Sequence, residues 1–310
     1  MIVPARQLGP DLWLLDLDFQ GTPGVVACYL LTGPDGHTLL ETGPGSTLGA
    51  LERAVTAAGV RLDDVTQLVV THIHLDHAGA AGSLLRRVPG ARLFVHPAGA
   101  PHMIDPSRLI ASATRIYGDR MDKLWGAFEP CPADRVVSLA DGDELVCGGR
   151  TLVALYTPGH ASHHIAFHDA EHGTVFTGDV GGVRLGGSAY VRPPTPPPDI
   201  DVEAWHASVE RIRRVRPRAL DLTHFGRFDD PARHLDELLR RLDAWTSWVD
   251  HSVREGATAS RMVAALRQES DAEIVRQTGD PMLAAAYELA TPSGMTVDGL
   301  VRYLKKREMV

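Results

Sequence analysis

Polar and apolar positions follow two rhythms, short β-like runs over roughly the first 228 residues and a helical period after them. Residues 12–19, 25–32 and 37–42 are β-rich runs parted by the turn formers Gly21-Thr22-Pro23-Gly24 and Gly33-Pro34-Asp35-Gly36, which predicts an antiparallel meander. Leu48, Leu51, Ala54, Val55 and Ala58 recur at spacings of three and four, predicting a helix with Ser46 as its cap. Residues 65–70 read as a buried strand, 78–85 as a helix start built from small residues, and 91–96 as a further strand closed by Pro97.

Residues 99–134 break that order. Leu109, Ala113, Ile116, Tyr117, Met121, Leu124 and Trp125 lie on a helical period inside a proline-flanked insert, either a helix buried on a sheet or a lid. Tyr117 is the side chain there best suited to reach a substrate. Strand-like patterning resumes near Arg135, with a hairpin over 144–156 and strands over 165–168 and 171–176. The prolines of 193–198 predict a stiff extended loop. Asp201 caps a helix through Trp205, Val209, Ile212 and Val215, and 218–223 reads as a last core strand ending at His224. Beyond Asp230-Pro231, Leu235, Leu238, Leu239, Leu242, Trp245, Trp248 and Val249 mark a long amphipathic helix with proline at its first position. Thr258 or Ser260 starts the next, and 283–289 and 297–304 give two more. The expected organisation is a strand-rich domain over 1–228 and an all-helical domain over 229–310.

The chain has 310 residues, 44% of them hydrophobic, ample for a buried core. Its formal charge of -8, without a Lys/Arg run, argues against a protein that grips nucleic-acid backbone. The first residues lack the pattern of a signal peptide, and the apolar run over 25–31 is too short to span a bilayer, so the expected compartment is the cytoplasm, with no membrane partner. Cys28, Cys131 and Cys147 are few and far apart, which suits reduced thiols better than a disulfide frame or thiolate metal site.

Against this background, Thr71-His72-Ile73-His74-Leu75-Asp76-His77 places three imidazoles and a carboxylate within six positions at a strand's carboxyl end. His72 and His74 project from one face of extended backbone. The neighbours Asp76 and His77 are expected to point apart, which suits two metal ions better than one. Imidazole with carboxylate is a ligand set for zinc or a similar first-row ion, with manganese and iron also compatible.

The sequence His72-x-His74-x-Asp76-His77 resembles the signature of the metallo-β-lactamase-fold hydrolases. The resemblance implies an α/β (α+β) fold, a four-layer αββα sandwich, to which the helical domain adds an extension like that of glyoxalase-II-like members, packed on the core or across a homodimer. It implies further ligands at His160, in Thr157-Pro158-Gly159-His160, at Asp179, in Thr177-Gly178-Asp179, and at His224. His72, His74 and His160 then hold one ion, Asp76, His77 and His224 the other, and Asp179 bridges. Glu41, in Glu41-Thr42-Gly43, stands where the family usually has Asp supporting the metal loop. By the same analogy His164 is a supporting histidine and His163 a surface residue, whereas His96, a lone histidine closing a strand, reads as structural. Arg184, Tyr190 and Arg192 follow Asp179 closely and are candidate substrate contacts.

The implied activity is a dinuclear hydrolase in which a bridging hydroxide attacks an ester, thioester or lactone carbonyl, Asp76 or Asp179 orienting it and passing on its proton. Alternatives are a metal-dependent phosphodiesterase or ribonuclease, a mononuclear iron persulfide dioxygenase, and a non-catalytic metal-binding module. The expected partner is a small-molecule substrate.

Overall fold

A seven-stranded sheet carries the first part of the chain in the computed structural model, which describes residues 4–308. Its strands lie side by side in sequence order: β1 (Ala5–Gly9), β2 (Leu12–Asp16), β3 (Ala27–Leu31), β4 (His37–Leu40), β5 (Val65–Val69), β6 (Arg92–Val95) and β7 (Val136–Ser138). β1 to β4 pair antiparallel, β2 to β4 as the meander pattern predicts and β1 as an addition to it, and β4 to β7 pair parallel. Parallel neighbours need crossovers, which helices provide. α1 (Leu48–Ala57) joins β4 to β5, α2 (Leu75–Ala78) and α3 (Ala81–Arg87) join β5 to β6, and α4 (Ala100–Ile104), α5 (Ser107–Tyr117) and α6 (Met121–Trp125) join β6 to β7. The carboxyl ends of β4, β5 and β6 therefore open on one edge, where open α/β sheets place their ligands.

Two local expectations change. Ser46 does not cap α1; its hydroxyl donates to the Leu124 carbonyl at 2.7 Å and so ties the insert to the loop after β4. The helical stripe of the insert is split at Gly118–Arg120, and α5 buries only Ala113, so most of that stripe is not a core face.

Strands β8 (Glu144–Cys147), β9 (Arg150–Tyr156), β10 (Ile165–Asp169) and β11 (Thr174–Phe176) form antiparallel ladders in the order β11-β10-β9-β8. They face the seven-stranded sheet: the Tyr29 ring of β3 meets the Phe176 ring of β11 edge-on, centroids 5.1 Å apart. One polar tie between the layers is Arg150, which is buried and donates to Asp169 at 2.8 Å and, through Nε, to Asp11 at 2.8 Å. Burial alone would raise the Asp169 carboxyl, but hydrogen bonds from the His172 backbone and ring and from Arg150 outweigh it and hold the group below the ordinary carboxylate range.

Of the described residues, those up to Tyr156 with His163–Phe176 form one compact unit; Thr157–Ser162 and the residues from Thr177 on form another. The second unit holds α7 (Val202–Arg214), the hairpin of β12 (Ala219–Leu222) and β13 (Gly226–Phe228), then α8 (Pro231–Arg254), α9 (Ala259–Thr278), α10 (Pro281–Ala290) and α11 (Ser293–Glu308). Asp201 caps α7 by accepting from Ala204 N at 2.9 Å, and Thr258 caps α9, as their positions predict. Leu235, Leu238, Leu242, Trp245 and Val249 of the expected face of α8 are buried, whereas Leu239 and Trp248, at its margins, are only half-buried. The division expected near residue 228 would part these helices from β12 and β13, whereas by contact they belong to one unit. No helix among the described residues is long and apolar enough to cross a membrane.

Replacing Arg150 with Met should cost about 3 kcal/mol in urea unfolding near neutral pH, because it leaves the Asp169 carboxylate buried with its guanidinium partner gone. A depressed carboxyl pKa contributes stability above the unfolded value of about 3.9 and loses it as pH falls through the folded value. The gap between wild type and R150M should therefore close in acid. A variant as stable as wild type at pH 7 would remove this tie from the account.

Candidate metal centre

The first unit supplies four of the seven predicted ligands from the end of β5 and the start of α2. His72 is fully buried, and its Nε2 lies 3.0 Å from His74 Nδ1, so the two rings present nitrogens to a common point. His74 keeps extended backbone (φ -62°, ψ 157°) as the residue before α2. Asp76 and His77 do not point apart as expected. The helical turn that carries them brings Asp76 Oδ2 to 3.9 Å from His77 Nε2.

Glu41 organises this half. It is fully buried at the end of β4, with a left-handed backbone (φ 69°) that turns its side chain toward the end of β5. Its Oε1 accepts the Thr71 hydroxyl, and its Oε2 faces the Thr71 N–H at 3.3 Å. The Thr71 oxygen in turn sits 3.0 Å from His72 Nδ1, and Glu41 Oε1 lies 3.1 Å from His77 Nδ1. Both Nδ1 atoms therefore donate, which leaves the Nε2 lone pairs for a metal. Thr42 adds a second tie, its N–H and hydroxyl donating to the His77 carbonyl at 2.8 and 2.9 Å.

His163, expected at the surface, is only 9% exposed. Its Nδ1 faces Ile73 N at 3.5 Å and its ring centroid stands 5.7 Å from that of His74. The cause is the start of β10, where Ile165 N donates to the Thr71 carbonyl at 2.8 Å and draws 163 and 164 against the metal loop. The buried His164 ring is 5.1 Å from that of His72. His96 instead stacks on Tyr156 at 4.7 Å, a packing position.

Tyr117 stands in an aromatic row, edge-on to Trp125 at 5.1 Å, with Trp125 stacked on Phe19 at 5.6 Å. Burial and the negative charge of Asp76 push its phenol well up, so the hydroxyl stays protonated within the field of a predicted ligand.

The second unit carries the other three. Gly159, just before His160, has φ 131°, and a Cβ there would lie 2.4 Å from Trp205 Cα, so only glycine lets the turn seat on α7. His160 Nδ1 donates to the Pro194 carbonyl at 2.8 Å, leaving Nε2 for Asp179. Asp179 lies on the turn Gly178–Gly181, pinned by Trp205 Nε1 donating to Val180 O at 2.9 Å and by His234 Nε2 donating to Gly181 O at 2.7 Å. Its two oxygens diverge: Oδ2 is 3.4 Å from His160 Nε2 and Oδ1 is 3.4 Å from His224 Nε2. Helix α7, α8 and the 193–195 loop thus fix His160 and the Asp179 turn, and the Arg184 N–H donates to the His224 carbonyl. Sequence reasoning missed Pro194, Thr71 and His234; a main-chain acceptor leaves no residue signal, and His234 reads as one position on a helix face.

The three candidate substrate contacts after Asp179 turn inward. Arg184 lies over the Phe228 ring at 4.1 Å and donates to Asp230 at 2.6 Å. Tyr190 is fully buried beneath the Arg241 guanidinium, 3.8 Å from its ring. Arg192 is also fully buried and donates to Ser293 Oγ at 2.9 Å. Their polar groups serve packing against the helical tail.

With that geometry in place, the sequence matches the family described as the metallo-beta-lactamase superfamily over residues 21–224. A metallo-beta-lactamase fold-containing protein of Sulfurisphaera tokodaii is 26% identical over 207 residues, 66% of this chain and 74% of its own. A hydroxyacylglutathione hydrolase of Aeromonas hydrophila is 31% identical over 140 residues; that stretch is 45% of this chain and 41% of the relative, so less than half of that enzyme's length is spanned. In solved structures, a metallo-beta-lactamase family protein of Thermus thermophilus aligns with a TM-score of 0.69 at 23% identity, covering 97% of this chain and 95% of that one, a likeness of fold.

Burial lowers His234 from 6.5 to about 4, so the folded chain keeps it neutral. A depressed histidine favours folding above the unfolded value and loses that contribution as the unfolded state takes up its proton. Stability should fall by about 3 kcal/mol between pH 6.5 and 4 beyond the loss seen for His234→Gln, read from urea midpoints at each pH. Parallel profiles for the two proteins would exclude His234 as the acid-sensitive group.

Proposed function

The chain belongs to the metallo-beta-lactamase superfamily, and from that premise we propose that it is a dinuclear metal-dependent hydrolase of a small ester, thioester or lactone. In this reading His72, His74, His160 and Asp179 take one ion and Asp76, His77 and His224 the other, with Asp179 serving both. The observation that carries it is the diverging Asp179 carboxylate, each oxygen 3.4 Å from a different imidazole Nε2. A single ion needs no such arrangement.

The donors fit zinc, being imidazole nitrogens and carboxylate oxygens whose outer atoms are already held by Glu41, Thr71 and Pro194. Bound there, two divalent ions would supply hydroxide at neutral pH and offset charge on the leaving atom. The chain's own residues do the rest. Glu41 fixes the tautomers of His72, through Thr71, and of His77, and Pro194 does so for His160. Asp76, whose side chain is 19% exposed, is the more accessible carboxylate and holds the proton that passes to the leaving oxygen or sulfur. Tyr117 donates its hydroxyl to the substrate, its ring held edge-on against Trp125. The acyl class draws support from the relatives named hydroxyacylglutathione hydrolase.

Protein purified without chelator should contain close to two metal ions per chain, zinc foremost, and should turn over lactone or thioester in preference to phosphodiester. One iron with oxygen consumption, or turnover confined to phosphodiesters, would replace this reading. Asp179→Asn keeps the shape but removes a charge that offsets two cations, so it should lose at least one ion and lower kcat by about 100-fold or more. Tyr117→Phe should keep both ions and lower kcat/KM about tenfold, one hydrogen bond's worth. Unchanged kinetics for Y117F would take Tyr117 out of the substrate site.

A further inference from the structure

We propose that the C-terminal helices form part of the frame that positions the metal ligands, with Arg192 as a positioning residue that acts on His160 through the Pro194 carbonyl. The inference rests on the reading of His160 as a ligand. The His160 ring is oriented by a main-chain acceptor in the proline-rich loop, Pro194 O at 2.8 Å. Pro193 and Pro194 have no N–H, so this stretch cannot hold its own register through a backbone ladder. It must be gripped on either side.

Arg192 is the grip before it. Its N–H and carbonyl pair with Val183 at 2.9 Å each, tying the loop to the segment that leaves Asp179. Its guanidinium, fully buried, donates to Ser293 Oγ at the start of α11 and lies 3.5 Å from the Glu288 carboxylate of α10. Thr195 is the grip after it, donating to the Thr296 carbonyl of α11 at 3.3 Å. Helix α11 can come this close because residue 299 is glycine: a Cβ there would stand 1.9 Å from Thr195 O.

The same loop is held from behind by α8 and α10. Arg241 donates to Val191 O at 2.9 Å and the Tyr287 hydroxyl donates to Tyr190 O at 2.6 Å. Among the described residues, Arg192 Nε and Nη1 have no hydrogen-bond partner. Burying a guanidinium so incompletely matched costs free energy that an apolar side chain would not. Simple packing does not explain an arginine here, whereas a stiff, directional brace on a loop without N–H groups does.

The test uses the full chain in three forms, wild type, R192M and R192K, with Thr195→Val as a second way to loosen the loop. In apoprotein, the His160 Nδ1–H should give a protected downfield proton resonance in wild type, assigned by its loss in His160→Gln. R192M and T195V should broaden or lose it, and R192K should retain it in part. Zinc affinity by chelator competition should fall about 10- to 100-fold for the more weakly held ion in R192M, a typical effect of removing an outer partner, with R192K between. If R192M does not fold, R192K and T195V read the same two quantities. A folded R192M or T195V with the resonance and both affinities unchanged overturns the frame and leaves the two-metal reading intact. Wild type that takes up no zinc sinks the ligand reading, and the apoprotein resonance then decides the frame by itself.

Discussion

The arrangement of this chain turns on one buried carboxylate. Glu41 is fully excluded from water at the end of β4, and a polar side chain buried there must exchange its hydration for hydrogen bonds. The donors come from Thr71 and His77, and Thr71 passes the constraint on to His72. The parallel pairing of β4 with β5, Leu40 beside Val69, brings these groups together, because it sets residue 41 next to the loop that leaves β5.

The second unit reaches a similar end by other means. Here the Asp179 carboxylate itself faces both imidazoles, and main-chain groups and close approach hold the segments that carry them. Pro194 O orients His160, the Arg184 N–H donates to the His224 carbonyl at 2.6 Å, and the Asp179 turn hangs between Trp205 and His234. Main-chain acceptors move only when the backbone moves, so this half is as rigid as the helices that brace it. On the proposed ligand set, the tail braces the loops that carry these side chains.

That division also sorts the aromatic and basic residues near the site. Tyr190, Arg184 and Arg192 are taken up by the tail, whereas Tyr117 belongs to an insert whose α5 keeps most of its apolar stripe only partly covered. Substrate selection is then expected to sit in the insert, and metal geometry in the loop. The fold is shared with relatives at low identity, and on such a scaffold specificity follows from these local parts.

Much of this was legible in the residues themselves. Four side chains able to ligate a metal within six positions mark the candidate site, and the strand before it and helix after it follow from their periodicity. The Asp201 and Thr258 caps and the buried stripe of α8 are local properties, set by neighbours three or four positions away. What the sequence could not decide depends on partners distant along the chain. Strand β1, with only two apolar side chains among its five residues, exists because β2 lends it a ladder. Ser46 lost its cap to a carbonyl 78 residues away, and His163 was buried because β10 starts against the metal loop. Arg192 looks like a solvated loop residue until a helix about a hundred positions later closes over it. Local pattern states what a segment can form; only tertiary packing decides which polar groups must find one another, because only packing removes the water that would otherwise satisfy them.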